Sequence, residues 1–462
     1  MRFVRAAVAA VLLLAGVIAL AVPMWYWDGG LIEIESTQFV RQYLDDRTTL
    51  QKVFDPHRND LDTYQARELS YFVDYLDARL FEASMLADRP VFVPASAVAA
   101  SALAILITFV AMRRSPPQAQ LPAALILLVF LSNYVHLVTM GMLYRSAKPL
   151  LVPVLMGAVY YVFAILRDRR VPRDPRSPWR PTAAFNVFVL FSVMSLLDRQ
   201  GFFYALAATI VLAIRAVLFG GRRDALTGGI AAVVATTLYN LVLAPFLVQR
   251  INGYSPSFAY QQLPWRTIFS APVTIQHALE LVVQSGAVLL GGVPPLVFGF
   301  VLAAALLWML FSGRKATAAA IIAVVVIQTA LVALLIARHP PIYGWYDHRL
   351  WYYPLPFQAL VTALLVVLIR RAVPTWSSAR TGILCLLLAT MVIGNVVRWK
   401  DYRRAQLRSY WFPDVYTLNI ALKASFADGR PRPSLSPEFF AFFEFWKARA
   451  PALRERAERA RQ

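Results

Sequence analysis

The sequence predicts an all-α, polytopic membrane protein with about eleven transmembrane helices. Three observations carry this. The 462 residues are 59% hydrophobic. Apolar runs of about 17–25 residues recur, each long enough to cross roughly 30 Å of hydrocarbon as a helix. The net charge of +20 is not spread evenly but falls in alternate loops, the pattern of positively charged cytoplasmic connections. That pattern accounts for most of the excess charge, so nucleic acid is not an expected partner.

In chain order, Arg2 and Arg5 precede an apolar run from Ala6 to Pro23, followed by Trp25-Tyr26-Trp27. Ala19-Leu20-Ala21 would suit a cleavable signal peptide, while the aromatic trio suits the interfacial anchor of a retained first helix, 1–27. Both readings place Asp28 onward outside. The loop 28–90 holds 13 of the protein's 26 acidic residues against seven Lys or Arg. The bundle, 91–397, then supplies ten further segments: Val91–Met112, Leu121–Leu143, Leu150–Leu166, Thr182–Leu197, Gly201–Phe219, Ala225–Val248, Ala287–Phe311, Ala316–Ile336, Leu350–Ile369 and Thr381–Val397. Gly-Gly-Val-Pro-Pro at 291–295 should kink the eighth span, because proline removes backbone donors. The sequence 398–462 forms a short tail rich in aromatic residues.

A cytoplasmic N-terminus and eleven spans put the tail on the outer side with the acidic loop. The inner positions of this register hold 17 Lys or Arg and the short outer loops seven. The basic tail runs against the rule, but long extramembrane stretches cross largely regardless of charge. The lone Cys385 permits no intrachain disulfide. There is no HExxH pattern and no GxxxxGK[ST] phosphate loop, so energy or activated substrate must come from outside this chain.

Two helices are expected in the acidic loop. The first covers Thr37–Val53, and Asp55-Pro56 ends it, since the residue before proline leaves the helical region. The second starts near Thr63, with Asp62 and Gln65 spaced as a capping box. Leu69, Phe72, Val73, Leu76 and Leu80 share one face; Arg67, Ser70, Asp74, Asp77 and Glu82 share the other. Such a helix can lie on a membrane surface or pack on the tips of other helices.

Asp-x-Tyr-x-Ala-Arg at Asp62, Tyr64, Ala66 and Arg67, after one span and before some ten others, resembles the GT-C superfamily of membrane glycosyltransferases. The resemblance covers topology along most of the chain and sequence over about ten residues. It implies a bacterial cytoplasmic (inner) membrane enzyme. Such an enzyme would move a sugar from a polyprenyl-phosphate carrier to an extracytoplasmic glycan, lipid or protein acceptor. A first-loop carboxylate would act as the base, Asp62 or Asp60. In that superfamily the acidic residue usually follows the first helix closely, whereas Asp62 lies 35 residues beyond Trp27. Asp28, Glu33 and Glu35 fit that spacing better, so Glu35 is also a candidate.

The chemistry needs a carboxylate to accept the hydroxyl proton and cations to hold the leaving phosphate. Candidate binding residues are Arg67, Arg145, Lys148, Asp198 and Arg199, with His339, Tyr343, Asp347, His348 and Arg349 from one late loop. Each has a plainer reading. Arg145 and Lys148 could snorkel, Asp198-Arg199 could be a neutralised hairpin turn, and the aromatics of 339–349 could form an interfacial belt. No cofactor is required; Asp55, His57, Asp60 and Asp62 could hold Mg²⁺ or Mn²⁺. The competing functions are a polymerase or ligase of lipid-linked glycans and a transporter or flippase. For transport the mid-span polar candidates are few: His136, Asn240 and Gln328.

Overall fold

A computed structural model describes residues 2–26, 34–55, 66–87, 94–113, 115–133, 135–137, 147–167, 181–219, 223–255, 272–290, 293–312, 315–338, 354–407 and 415–460. All regular elements among these residues are helical. Among the described residues, six helices are long and apolar enough to cross a membrane and four shorter ones are also apolar. The chain is therefore a multi-pass helical membrane protein.

The bundle comprises α1 (Arg2–Tyr26), α5 (Ala95–Arg113), α6 (Pro117–Ser132), α7 (Ala147–Arg167), α8 (Pro181–Leu197), α9 (Arg199–Phe219) and α10 (Arg223–Leu238). A π-helical turn, Tyr239–Leu243, joins α10 to α11 (Ala244–Asn252). Then come α12 (Pro272–Leu289), α13 (Pro295–Phe311), α14 (Lys315–Arg338), α15 (Pro354–Ala372) and α16 (Ser378–Leu407). α6 packs against α1, α15 and α16; α7 lies between α5 and α15; α8 holds α9 and α10. With no water to drive apolar burial inside lipid, such helices associate by close fit and polar links. The tip of α8 and α9 shows the fit: a Cβ on Gly201 would fall 1.9 Å from the Met194 carbonyl oxygen, so only glycine is tolerated there.

The third predicted span is not continuous. α6 stops at Ser132, and Asn133 caps the next short turn, its Oδ1 accepting from the N–H of Val135 (2.9 Å) and of His136 (3.3 Å). Carbonyls freed by the break are taken up by α16. Asn395 Nδ2 donates to Val129 O (3.2 Å) and Trp399 Nε1 to Ser132 O (3.0 Å). A break inside a span survives only where neighbours satisfy its backbone in this way. The predicted eighth span also differs: it is two helices, α12 and α13, that meet where the Phe298 ring lies against Gly286. The α12 helix begins well inside what the sequence predicts as a connection.

The acidic loop differs in its boundaries. Its predicted first helix is two, α2 (Ile34–Tyr43) and α3 (Thr49–Phe54), because Thr48 and Gln51 form a capping box that restarts the helix. The second, α4, runs from Glu68 to Leu86, five residues later than predicted. Its two faces are those predicted, and their directions are informative. Glu68, Asp74 and Asp77 are buried against the protein, while Leu69, Phe72, Leu76 and Leu80 are exposed. Charges inward and leucines outward is the arrangement of a helix whose free side meets lipid.

The tail forms α17 (Val415–Asp428), α18 (Pro437–Arg449) and α19 (Pro451–Arg459). It does not stand alone. Trp446, Phe439, Phe442 and Phe443 join Val40 and Tyr43 of α2 and Phe81 and Met85 of α4 in a second core. Phe81 meets Trp446 edge-on with centroids 5.6 Å apart. The first loop and the last residues thus build one cap at one end of the bundle.

Candidate functional site

Beneath this cap, side chains from three parts of the chain meet at the tip of α8 and α9. Asp198 is the single residue between the two helices, and its Oδ1 accepts from the Gln200 N–H at 2.9 Å, which starts α9. Lys148, in the first turn of α7, is 2% exposed. Its Nζ lies 2.6 Å from Asp198 Oδ1 and 2.8 Å from Gln200 Oε1. Arg67, just ahead of α4, brings Nη1 to 3.8 Å from Asp198 Oδ2, with its guanidinium 5.1 Å from the centre of the Tyr71 ring. Arg199 is half-buried at the same turn.

Burial alone would push the Asp198 carboxyl up. The charges of Lys148 and Arg67, with hydrogen bonds from Lys148 and the Gln200 N–H, outweigh it and hold the group below the usual carboxylate value. Asp198 is ionised at neutral pH, and two cations share it. Tyr71 is pushed up by burial, which the nearby Arg67 only partly opposes.

Other described residues of the loop are also tied down. Tyr254 hydrogen-bonds Asp55, Gln51 Nε2 donates to Ile251 O at 3.4 Å, and Glu68 hydrogen-bonds Tyr239 at the π-helical turn. Phe54, Ala66, Tyr239 and Tyr254 pack on Ala244 and Val248. π turns inside α-helices occur often at functional sites, and this one faces the first loop. Midway along α4, Asp77 accepts from the Ser96 N–H (3.1 Å) and hydroxyl, holding the start of α5.

Of the sequence-predicted residues, Arg67, Lys148 and Asp198 come together, with Arg199 adjacent. Asp60, Asp62, Arg145, His339, Tyr343, Asp347, His348 and Arg349 lie outside the described residues. Glu35 is on α2, and its side chain is likewise outside them. Of the metal candidates only Asp55 is described. Among the described residues no group of three or more His, Cys, Asp or Glu could hold a metal. Gln200, Glu68, Tyr239 and Tyr254 are additions. Gln200 could have been read from its place two residues after Asp198. Tyr254, 199 positions from its partner Asp55, has no local signal.

Chemically, this is a compact ionic cluster at a bundle tip, with more positive than negative charge immediately around Asp198. Lys148 is committed to its partners. Arg67 lies farther from Asp198 and also hydrogen-bonds Tyr71. No family model matches the chain, and no curated protein or solved structure matches it significantly.

Proposed function

We propose that this protein is a membrane glycosyltransferase. It moves a sugar from a polyprenyl-phosphate carrier to an acceptor hydroxyl on the outer face of a bacterial cytoplasmic membrane. The observation that carries this reading is the convergence of Arg67 from the acidic loop with Lys148 and Asp198 at the bundle tip. A cationic group at the level where spans end is where a lipid phosphate rests. The shared core of loop and tail is in keeping with an even number of crossings between them, as eleven spans from an inner N-terminus would provide.

In the proposed reaction a first-loop carboxylate, Asp62 or Asp60, accepts the proton of the acceptor hydroxyl. The oxygen attacks the anomeric carbon, the bond from that carbon to the phosphate oxygen breaks, and its electron pair leaves with the phosphate. Arg67 and Arg199, backed by Lys148, stabilise the charge that accumulates there. Purified protein in nanodiscs, given a panel of polyprenyl-phosphate sugars and acceptor glycans, should release free carrier phosphate. Asp62→Asn should suppress release without changing the thermal transition. Release that survives substitution of every carboxylate from Asp28 to Asp77 sinks the mechanism.

One observation favours a transporter instead. The broken α6 places the buried His136 against Ser101, Nε2 to Oγ 3.1 Å, within the bundle. Movement of a lipid-linked sugar across a vesicle with no glycosidic bond made would establish that reading.

A further inference from the structure

Several hydroxyl side chains inside the bundle bond within their own helix, although Ser192 Oγ does not. Thr209, Thr236 and Thr329, and Ser195 near a helix end, each donate to the carbonyl four residues back, at 2.7–2.8 Å. This is the ordinary way for a span to satisfy a hydroxyl without outside help. Where α12 meets α15, two hydroxyls depart from it. Ser285 Oγ and Thr362 Oγ1 are buried and have no hydrogen-bond partner among the described residues, their own helix carbonyls included. Between them in sequence stands Gln358, 0% exposed. Its Nε2 donates to Ser285 O at 2.8 Å, leaving Oε1 without a donor.

Gln358 and Thr362 are four residues apart and so lie on one face of α15, and the Gln358–Ser285 bond brings that face to α12. The three unsatisfied atoms are two hydroxyls, which can donate or accept, and one amide oxygen, which can only accept. Leu355, Phe357 and Ala363 of the same helix are also buried. Buried polar atoms are hydrogen-bonded in nearly all folded proteins, and leaving one unmet costs about 1–3 kcal/mol. Three such atoms at one helix junction therefore call for an occupant with several donors and acceptors. The set contains no charged side chain, so it does not suit a phosphate. An apolar lipid chain would leave all three atoms unmet. A hydroxyl-rich, uncharged group meets them.

We propose that Ser285, Gln358 and Thr362 form a neutral hydrogen-bonding subsite that takes the hydroxyls of a sugar ring. This rests on the glycosyltransferase reading and divides the labour within it: phosphate at the ionic cluster, sugar at α12 and α15. The subsite also sets selectivity, because a pocket built to bond a hydroxyl rejects a ligand lacking it far more strongly than an apolar pocket rejects a small change of size.

The test uses the full-length protein in nanodiscs and measures binding of citronellyl phosphate alone against citronellyl-phosphoryl glucose, mannose, galactose and arabinose. At least one sugar conjugate should bind about tenfold tighter than the bare phosphate. Thr362→Val and Gln358→Leu should each cut that increment roughly three- to tenfold and leave citronellyl phosphate unchanged. Thr362→Ser should keep it. The unchanged affinity for the bare phosphate shows that the variants are folded. An increment that persists in both apolar variants means that water alone occupies the three groups and overturns the subsite. A wild-type protein that binds citronellyl phosphate but no conjugate more tightly overturns it too, while sparing the glycosyltransferase reading. A wild-type protein that binds none of the compounds overturns both.

Discussion

Two buried carboxylates at the capped end of the bundle have opposite surroundings. Asp198 at the α8–α9 tip and Asp77 at the α4–α5 joint are each 4% exposed. Asp198 faces two cations, which hold its carboxyl below the usual value. Asp77 meets only neutral donors, the Ser96 hydroxyl and the N–H groups of Ser96 and Ala95, and burial pushes its carboxyl up. Equal burial therefore yields a committed charge in one region and a reluctant one in the other. What separates them is partner charge, since desolvation opposes ionisation in both.

Asp198→Ala should have the largest effect, because it removes the carboxylate 2.6 Å from the buried Lys148. A loss of about 3–5 kcal/mol is expected, read as a fall in the thermal transition in detergent. A fall no greater than that of Asp77→Ala would erase the contrast. Next, joining Lys148→Met to Asp198→Leu should recover most of that loss, because removing both charges removes the penalty. A double variant as unstable as the sum of its singles would mean that the two residues act independently. Arg67→Met removes the longer pair with Asp198 and the contact with Tyr71, and should cost less than Asp198→Ala, while lowering affinity for citronellyl phosphate.

The smallest effect belongs to Asp77→Asn, which keeps a hydrogen-bond acceptor for Ser96 and should change stability at neutral pH by less than about 1 kcal/mol. Its signature is in pH dependence. A carboxyl with a raised folded value penalises the folded state when ionised. That penalty is relieved as pH falls through the raised value toward the ordinary one. Asp198 does the reverse: its contribution is complete above the ordinary carboxylate value and is lost as pH falls through that value and on to its lowered one. Mild acidification should therefore stabilise wild type relative to Asp77→Asn. Parallel unfolding curves across that window would show that Asp77 does not titrate there.

The same contrast shows how far residues can be read without coordinates. The Asp198 turn was legible because two apolar segments leave only Asp198-Arg199-Gln200 between them. The faces of α4 were legible from their spacing. Which face turns inward was not, because that depends on whether lipid or water lies outside. The break after Ser132 left a visible trace in Ser132-Asn133, yet its tolerance depends on Asn395 and Trp399, some 260 residues away. The approach of Arg67 to Asp198, and the meeting of Ser285 with Gln358, are products of packing and leave no pattern along the chain.

The cap has a consequence for how the protein is made. Phe81 leaves the ribosome well before Trp446, against which it packs and which is added 365 residues later. At roughly 5–20 residues per second, the interval is about 20–70 s. Throughout that time the first loop has no finished core to fold upon, and the ionic cluster beneath it has no cover. Newly inserted chains should therefore remain open to protease at α2 and α4 until α18 has been added, and a nascent chain stalled short of α18 would be held in that state.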